Sequence, residues 1–178
     1  MLRVIGGDFK RRKLDQPSLD ITRPTKDIAK EGLFNSLGDI EGLSFLDCFG
    51  GSGAMGIEAR SRHAKDVTII EYSKEAFKVI LKNLNTIGIN DIKVINDDFF
   101  KAIKRLKRSF DIIFIDPPYK MEVGENFVQA LIDNQLVNEN TRIIIERDTK
   151  LDETLFLNFQ VKELKYGKSF LYILKTRS

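Results

Sequence analysis

From residue 43 onward the chain alternates between short apolar runs and amphipathic stretches, and that alternation leaves few folds open. Residues 44–49, 67–71, 92–96, 112–115 and 142–146 read as strands, with helices expected at about 53–63, 74–87, 99–107 and 123–135. The clearest helix is 74–87, with Phe77, Ile80, Leu81, Leu84 and Ile87 on one face and Gly88 as its stop. Strands separated by helices predict a parallel sheet with helices on both faces. The last two runs, 160–165 and 170–175, are joined only by Tyr166-Gly167-Lys168-Ser169. That link is too short for a helical crossover, so the pair must be an antiparallel hairpin. The fold class expected is α/β, with a mostly parallel seven-stranded sheet ending in that hairpin. Ahead of it, residues 2–6 and 9–14 read as a small β-hairpin around Gly6-Gly7-Asp8, and 15–24, with Pro17 and Pro24, as a loop. A helix then follows from Thr25 to Leu37, apolar at Ile28, Ala29, Leu33, Phe34 and Leu37 and stopped by Gly38. The expected organisation is an N-terminal extension over 1–38 and a main domain over 39–178.

Asp116-Pro117-Pro118-Tyr119 follows the apolar run 112–115 directly, at the carboxyl end of a strand, where open α/β sheets place their ligand crevice. Two prolines remove two backbone donors and fix two φ angles. An acid, a spare carbonyl and an aromatic face on a stiff turn suit one task. They can accept the hydrogens of a flat amino group while its ring is stacked.

The first strand runs into Gly50-Gly51-Ser52-Gly53-Ala54-Met55-Gly56, and Gly51, Gly53 and Gly56 fit G-x-G-x-x-G. Glu71 lies twenty residues after Gly51, as in the dinucleotide fingerprint. Asp47 argues against a pyrophosphate there, because an anionic side chain before the loop would repel it. The same carboxylate suits a cationic group, such as the ammonium of S-adenosylmethionine, which has no phosphates. The glycines would let the backbone approach the ligand's methionine and ribose closely. Glu71 is placed to accept ribose hydroxyls. Asp97 or Asp98 would accept from the adenine amino group; Asp98 is favoured, and it is also a good N-cap for the next helix. Phe99 is a core candidate that could flank the adenine.

The chain nets only +3, but residues 1–30 hold eight Lys/Arg against four Asp, a net of +4, so the other 148 net −1. A basic segment on a near-neutral body is the footprint of a polyanion-binding arm, although a solvated surface run looks the same. Lys101, Lys104, Arg105, Lys107 and Arg108 read as a solvated helix face. The apolar runs are too short to span a membrane, and the first residues lack the apolar core of a signal peptide. One cysteine and one histidine make a His/Cys metal site and a disulfide framework poor readings and fit a reducing cytoplasm. Cys48 reads as a small packing residue and His63 as a helix-end contact. Glu146 reads as a solvated strand end.

These residues resemble the class I S-adenosylmethionine-dependent methyltransferases, within them the amino-methyltransferases with a D/N-P-P-Y/F turn. Arg3-Val4-Ile5-Gly6-Gly7, Arg12-Lys13-Leu14, Arg23-Pro24-Thr25-x-Asp27 and Glu31-x-Leu33-Phe34-Asn35 are similar to the N-terminal signature of the bacterial RsmD family. Gly51-Ser52-Gly53-Ala54-x-Gly56-x-Glu58-Ala59-x-Ser61-Arg62 is similar to that family's cofactor loop. The resemblance departs at Arg11, where the family usually has Gly, at Ile28 and Lys30, where arginines are common, and at Ser169, usually Thr.

The resemblance implies a Rossmann-like fold and methylation of the exocyclic N2 of guanine 966 in 16S ribosomal RNA, in or on a small-subunit particle. It implies catalysis by Asp116, Pro117, Pro118 and Tyr119. The cofactor set is then Asp47, Phe49, Gly51, Ser52, Gly53, Glu71, Tyr72, Asp98 and Phe99. The RNA-facing set is Lys10, Arg11, Arg12, Lys13, Arg23 and Thr25. No metal and no membrane contact are expected, and a monomer is. The residues alone leave open the same chemistry on a DNA base, another RNA or a protein glutamine amide.

Overall fold

The computed structural model describes residues 1–18, 25–118, 121 and 124–177, with only the backbone at Thr25 and Lys26. In chain order the elements are β1 (Leu2–Arg3), β2 (Lys13–Leu14), α1 (Thr25–Leu37), β3 (Phe45–Asp47), α2 (Ala54–Ser61), β4 (Val67–Ile70) and α3 (Lys74–Ile87). They continue with β5 (Lys93–Ile95), α4 (Phe99–Ile103), β6 (Ile112–Ile115), α5 (Glu125–Asp133), β7 (Arg142–Arg147), a 3₁₀ turn (Glu153–Phe156), β8 (Phe159–Tyr166) and β9 (Ser169–Thr176). The main sheet has seven strands in the order β5-β4-β3-β6-β7-β9-β8. β3 through β7 pair in parallel, and β9 runs antiparallel to both β7 and β8. The expected α/β fold with its C-terminal antiparallel hairpin is the one found.

The central strands read as unbroken apolar runs because both faces of the sheet are covered. Phe45, Ile112, Phe114 and Ile144 join the core under α1 and α2, while Leu46, Ile113, Ile115, Ile143 and Ile145 join the core under α4 and α5. Ser73 starts α3 by accepting the Ala76 amide (3.3 Å), and Gly88 ends it at φ 87°. The face it buries is rotated from the one its spacing predicts: Ala76, Ile80, Asn83, Leu84 and Ile87 are inside, and Leu81 is 43% exposed. α4 stops at Ile103 instead of about 107. The amides of Arg105 and Leu106 bond three residues back, to Ala102 and Ile103, and these tight turns return Leu106 to the core.

The N-terminal hairpin is also shorter than expected, two residues per strand, paired Leu2 with Leu14 and Arg3 with Lys13. Val4 extends it, donating to the Arg12 carbonyl (3.0 Å) and accepting the Arg11 amide (2.9 Å), but the amides beyond go elsewhere. Ile5 and Gly6 each donate to the carboxylate of Glu58 on α2 (2.8 Å both), and Phe9 and Asp8 donate to Ser61 Oγ (3.0 Å) and its carbonyl (2.9 Å). Glu58 is fully buried and also takes Arg62 Nε (2.8 Å) and Lys30 Nζ (3.3 Å). Lys30, itself buried, further donates to the Arg3 carbonyl (2.6 Å); burial holds its pKa below the usual lysine range against the pull of Glu58. Gly7 (φ 74°) lies so close that a Cβ would sit 1.8 Å from the Ser61 carbonyl oxygen. Arg11 adopts φ 71°, the left-handed region that favours glycine and costs other residues about 1–2 kcal/mol. Leu2, Val4 and Leu14 then share the core of α1 and α2, so residues 1–38 add to the body's core and do not form one of their own.

Removing one partner of a buried charge cluster strands the others. Glu58→Ala leaves Lys30 buried without its carboxylate and two amides without an acceptor. It is expected to lower stability by about 3–5 kcal/mol in urea denaturation.

Candidate functional site

Four carboxylates stand in a row along the carboxyl edge of the parallel strands. Asp98 follows β5, Glu71 follows β4, Asp47 ends β3 and Asp116 follows β6. The sheet order therefore arranges them Asp98, Glu71, Asp47, Asp116. Neighbouring strands lie about 4.8 Å apart, so the row spans about 15 Å. The gap between β3 and β6, at the Asp47–Asp116 end of the row, is where the strand order reverses, the position at which open α/β sheets form their crevice.

The glycine loop closes over the middle of the row. Gly51 (φ 57°) and Gly53 (φ 81°) take backbone conformations that a side chain would strain. Gly50 and Gly56 serve packing: a Cβ would fall 2.4 Å and 2.6 Å from side-chain carbons of Ile69. Glu71, half-buried, pins the loop: one oxygen accepts the Gly51 amide (2.7 Å) and the other the Ser73 amide (2.7 Å). Ser52 is buried, with Oγ accepting the Ala54 amide (3.3 Å).

Asp47 is the outlier. It is buried, its Oδ1 accepts the Phe49 amide (3.2 Å), and its Oδ2 is a buried side-chain oxygen with no hydrogen-bond partner among the described residues. Burial, and secondarily the charge of Glu71, push its pKa up to about 7 against the pull of the Phe49 amide. An acid in that condition is a ready acceptor for a cationic donor.

Asp98 caps α4 by accepting the Lys101 amide (3.2 Å), while Asp97 accepts the Asp98 amide (2.8 Å) and pairs with Arg105 (2.8 Å). Phe49 stacks on Phe99 (centroids 5.5 Å) and meets Phe127 edge-on (5.8 Å). The Phe99 ring, 2% exposed, is packed inside this cluster; Phe49 is half-buried and Tyr72 is 76% exposed beyond β4. Asp116 is exposed, Pro117 half-buried, and the Pro118 carbonyl accepts the Met121 amide (2.9 Å). Tyr119 lies outside the described residues. Glu146 is half-buried, one residue past the Ile115–Ile145 register, and so stands beside Asp116. An apolar cavity of about 350 Å³ between α5, the 3₁₀ turn and β8 contains none of these carboxylates.

Among the described residues, the structure does not bring Lys10, Arg11 or Arg12 of the expected RNA-facing set to this row. Lys10, Arg11, Arg12 and Lys13 are exposed, but Arg12 donates to the Thr86 carbonyl (2.8 Å), in the last turn of α3. α3 starts beside Glu71, so at 1.5 Å per residue the Thr86 carbonyl and the Arg12 side chain on it lie about 20 Å along α3 from Glu71. Thr25 opens α1, whose far end meets the start of β7 through Arg142 and the Leu37 carbonyl (2.7 Å). Arg23 lies outside the described residues. Cys48 is buried, as its packing role requires, and His63 pairs with Asp8 (3.3 Å).

A family profile described as conserved hypothetical protein 95 matches residues 2–175. The ribosomal RNA small subunit methyltransferase D of Escherichia coli is 35% identical over 150 residues, 84% of this chain and 76% of that protein. A putative rRNA methyltransferase, YlbH of Bacillus subtilis, is 32% identical over 99% of this chain and all of its own. The solved structure of the putative methyltransferase yhhF from Escherichia coli superimposes with a TM-score of 0.86 at 32% identity, over 99% of this chain and 98% of that one. The chain belongs to the RsmD family.

The RsmD-like loop motif divides into two parts. Gly51, Gly53 and Gly56 build the turn and its packing, whereas Glu58, Ser61 and Arg62 hold the N-terminal arm. Sequence reasoning missed that second role, and it missed Asn83. Asn83 is 3% exposed, accepts the Asp15 amide (2.8 Å), and donates to the Asp15 (3.0 Å) and Ser52 (2.9 Å) carbonyls. It ties the chain leaving the hairpin to the glycine loop. Its signal was available: a polar residue three positions after Ile80, on the core face of α3.

Asn83→Ala leaves these backbone groups without their partner. It is expected to cost about 1–3 kcal/mol in urea denaturation, with faster amide exchange at Asp15.

Proposed function

We propose that this protein transfers a methyl group from S-adenosylmethionine to the exocyclic N2 amine of a guanine in small-subunit ribosomal RNA, guanine 966 by family resemblance. The observation that carries this reading is the order of the carboxylates along the sheet edge. Asp98, Glu71 and Asp47 follow one another as acceptors for an adenine amine, ribose hydroxyls and an ammonium, and Asp116 comes next.

The residues fit this donor at the point where a phosphate ligand would fail. The buried Asp47 oxygen without a partner repels a pyrophosphate and accepts an ammonium. The Gly51 and Gly53 turn admits close backbone approach, and Glu71, fixed beside Gly51, presents a carboxylate to hydroxyl donors. When bound, the cofactor supplies an electrophilic methyl group on a sulfonium. Asp116 and the Pro117 carbonyl accept the two N–H bonds of the target amine, turning its lone pair out of conjugation with the ring. As the nitrogen takes up the methyl group and S-adenosylhomocysteine leaves, the Asp116 carboxylate would stabilise the positive charge on nitrogen, and the extra proton would pass to solvent at this exposed turn. Tyr119 stacks the base, a contact of about 1–3 kcal/mol in single-strand binders. The base must be unstacked, or already in a loop, to reach this turn. Lys10, Arg11, Arg12, Lys13, Arg23 and Thr25, on the 1–38 extension, meet the RNA.

Asp116→Ala is expected to reduce methyl transfer to small subunits from cells lacking this protein by at least about 10²–10³-fold. Calorimetric affinity for S-adenosylhomocysteine should stay near wild type. N2-methylguanosine in the wild-type reaction confirms the product; unchanged turnover in the variant removes Asp116 from the mechanism.

The raised pKa of Asp47 predicts a pH dependence. An ammonium bound beside the carboxylate favours its charged form, so the pKa falls on binding. Affinity is therefore full above about pH 7 and declines as pH falls through it. Binding of S-adenosylhomocysteine at pH 6 should be about tenfold weaker than at pH 8, with proton release at the lower pH only. Asp47→Asn should flatten the profile.

A further inference from the structure

The outward face of α3 has no part in the site above. At 100° per residue, Lys74, Lys78, Lys82 and Asn85 fall within about 80° of one another, opposite the buried Ala76, Ile80, Asn83, Leu84 and Ile87. All three lysines are exposed and follow one another about 6 Å apart along the axis. The acids beside them are already engaged. Glu75 accepts the Ser18 amide (3.2 Å) and hydroxyl (2.5 Å), and Asp15 pairs with Lys82. Lys74 and Lys78 make no ion pair among the described residues.

Both ends of this ridge are fixed to functional surfaces. At the start of α3, the Ser73 amide is bonded to Glu71, in the carboxylate row. At its end, Arg12 is bonded to the Thr86 carbonyl, which seats the basic hairpin there. A polyanion that runs along α3 from Glu71 to Arg12 crosses about 20 Å, and the lysine ridge lies along that path. We propose that Lys74 and Lys78 are a phosphate track, along which the RNA backbone runs from the Glu71 side of the carboxylate row to the hairpin cations. This rests on the RNA-methylating reading above and extends its contact surface. Two evenly spaced cations without acidic partners suit a repeating phosphate chain. An acidic protein patch would find little apolar anchorage here beyond Leu81.

The test uses the full-length protein with K74Q/K78Q, a fluorescein-labelled RNA stem–loop, and small subunits from cells lacking the protein. Losing two phosphate contacts should reduce the slope of log affinity against log salt by about 1.4–1.8. S-adenosylhomocysteine affinity should not change, because neither lysine touches the row. A wild-type salt slope in the variant overturns the track. So does a variant that loses activity on assembled subunits while keeping the wild-type slope on naked RNA, which would assign the ridge to a ribosomal protein. If the wild-type protein itself transfers no methyl group to RNA, the underlying reading fails instead.

Discussion

The function of this chain depends on a constraint of parallel sheets: each strand must return to the same edge before the next begins. That rule sends every β–α junction of β3 to β6 to the carboxyl edge, and the reversal of strand order at β3 collects them in one crevice. Acids distant in sequence thereby become neighbours. Asp47 and Asp116 are 69 residues apart in the chain, yet they end adjacent strands that pair Asp47 with Phe114. The stiffness of the crevice follows from the burial of those strands on both faces, since no strand can shift without disturbing two cores.

The second dependency is the buried carboxylate of Glu58. A short two-residue pairing cannot hold a 24-residue N-terminal segment. The arm is held because Glu58 takes the Ile5 and Gly6 amides just past the Val4–Arg12 bond, where the hairpin pairing ends. Asn83 repeats the device further along, mimicking a strand edge for Asp15 while also gripping Ser52. Two polar side chains on helices thus convert an irregular segment into a fixed surface, and the second reaches the glycine loop directly. Anything that moves the arm at Asp15 acts on the loop through a single side chain.

What could be read from the sequence was whatever repeats locally. The strands are runs, the glycine loop has a spacing, and the closing hairpin is dictated by a link too short for anything else. The acids of the row were readable because strand ends are readable. The errors fall where a tertiary contact overrides the local pattern. Leu81 has the spacing of a core residue but lies outside, because Asn83 occupies the inner face to reach Asp15 and Ser52. The hairpin looked longer because 2–6 and 9–14 flank the turn residues Gly6-Gly7-Asp8; the amides of Ile5, Gly6 and Phe9 were claimed by Glu58 and Ser61, more than fifty residues away. The basic segment was legible as charge but not as position, because composition does not say which end of α3 it docks against.

Glu58, Glu71 and Asp47 show three ways for a carboxylate to leave bulk water. Glu58 is fully buried and takes two amides and two cations, so its burial is offset by partners. Glu71 is half-buried and takes one amide on each oxygen, which pins the loop to the end of β4. Asp47 is as buried as Glu58, but its Oδ2 has no hydrogen-bond partner among the described residues, and the charge of Glu71 adds to its difficulty. A buried acceptor left unsatisfied costs about 1–3 kcal/mol, and more when charged. A packing role would not require an acid, since an apolar side chain of similar size would fill the space without that cost. The arrangement makes sense if the missing partner arrives with a ligand, because the strain relieved on binding then adds to affinity. It also selects the ligand's charge: a cation completes the site, and an anion cannot enter beside two carboxylates.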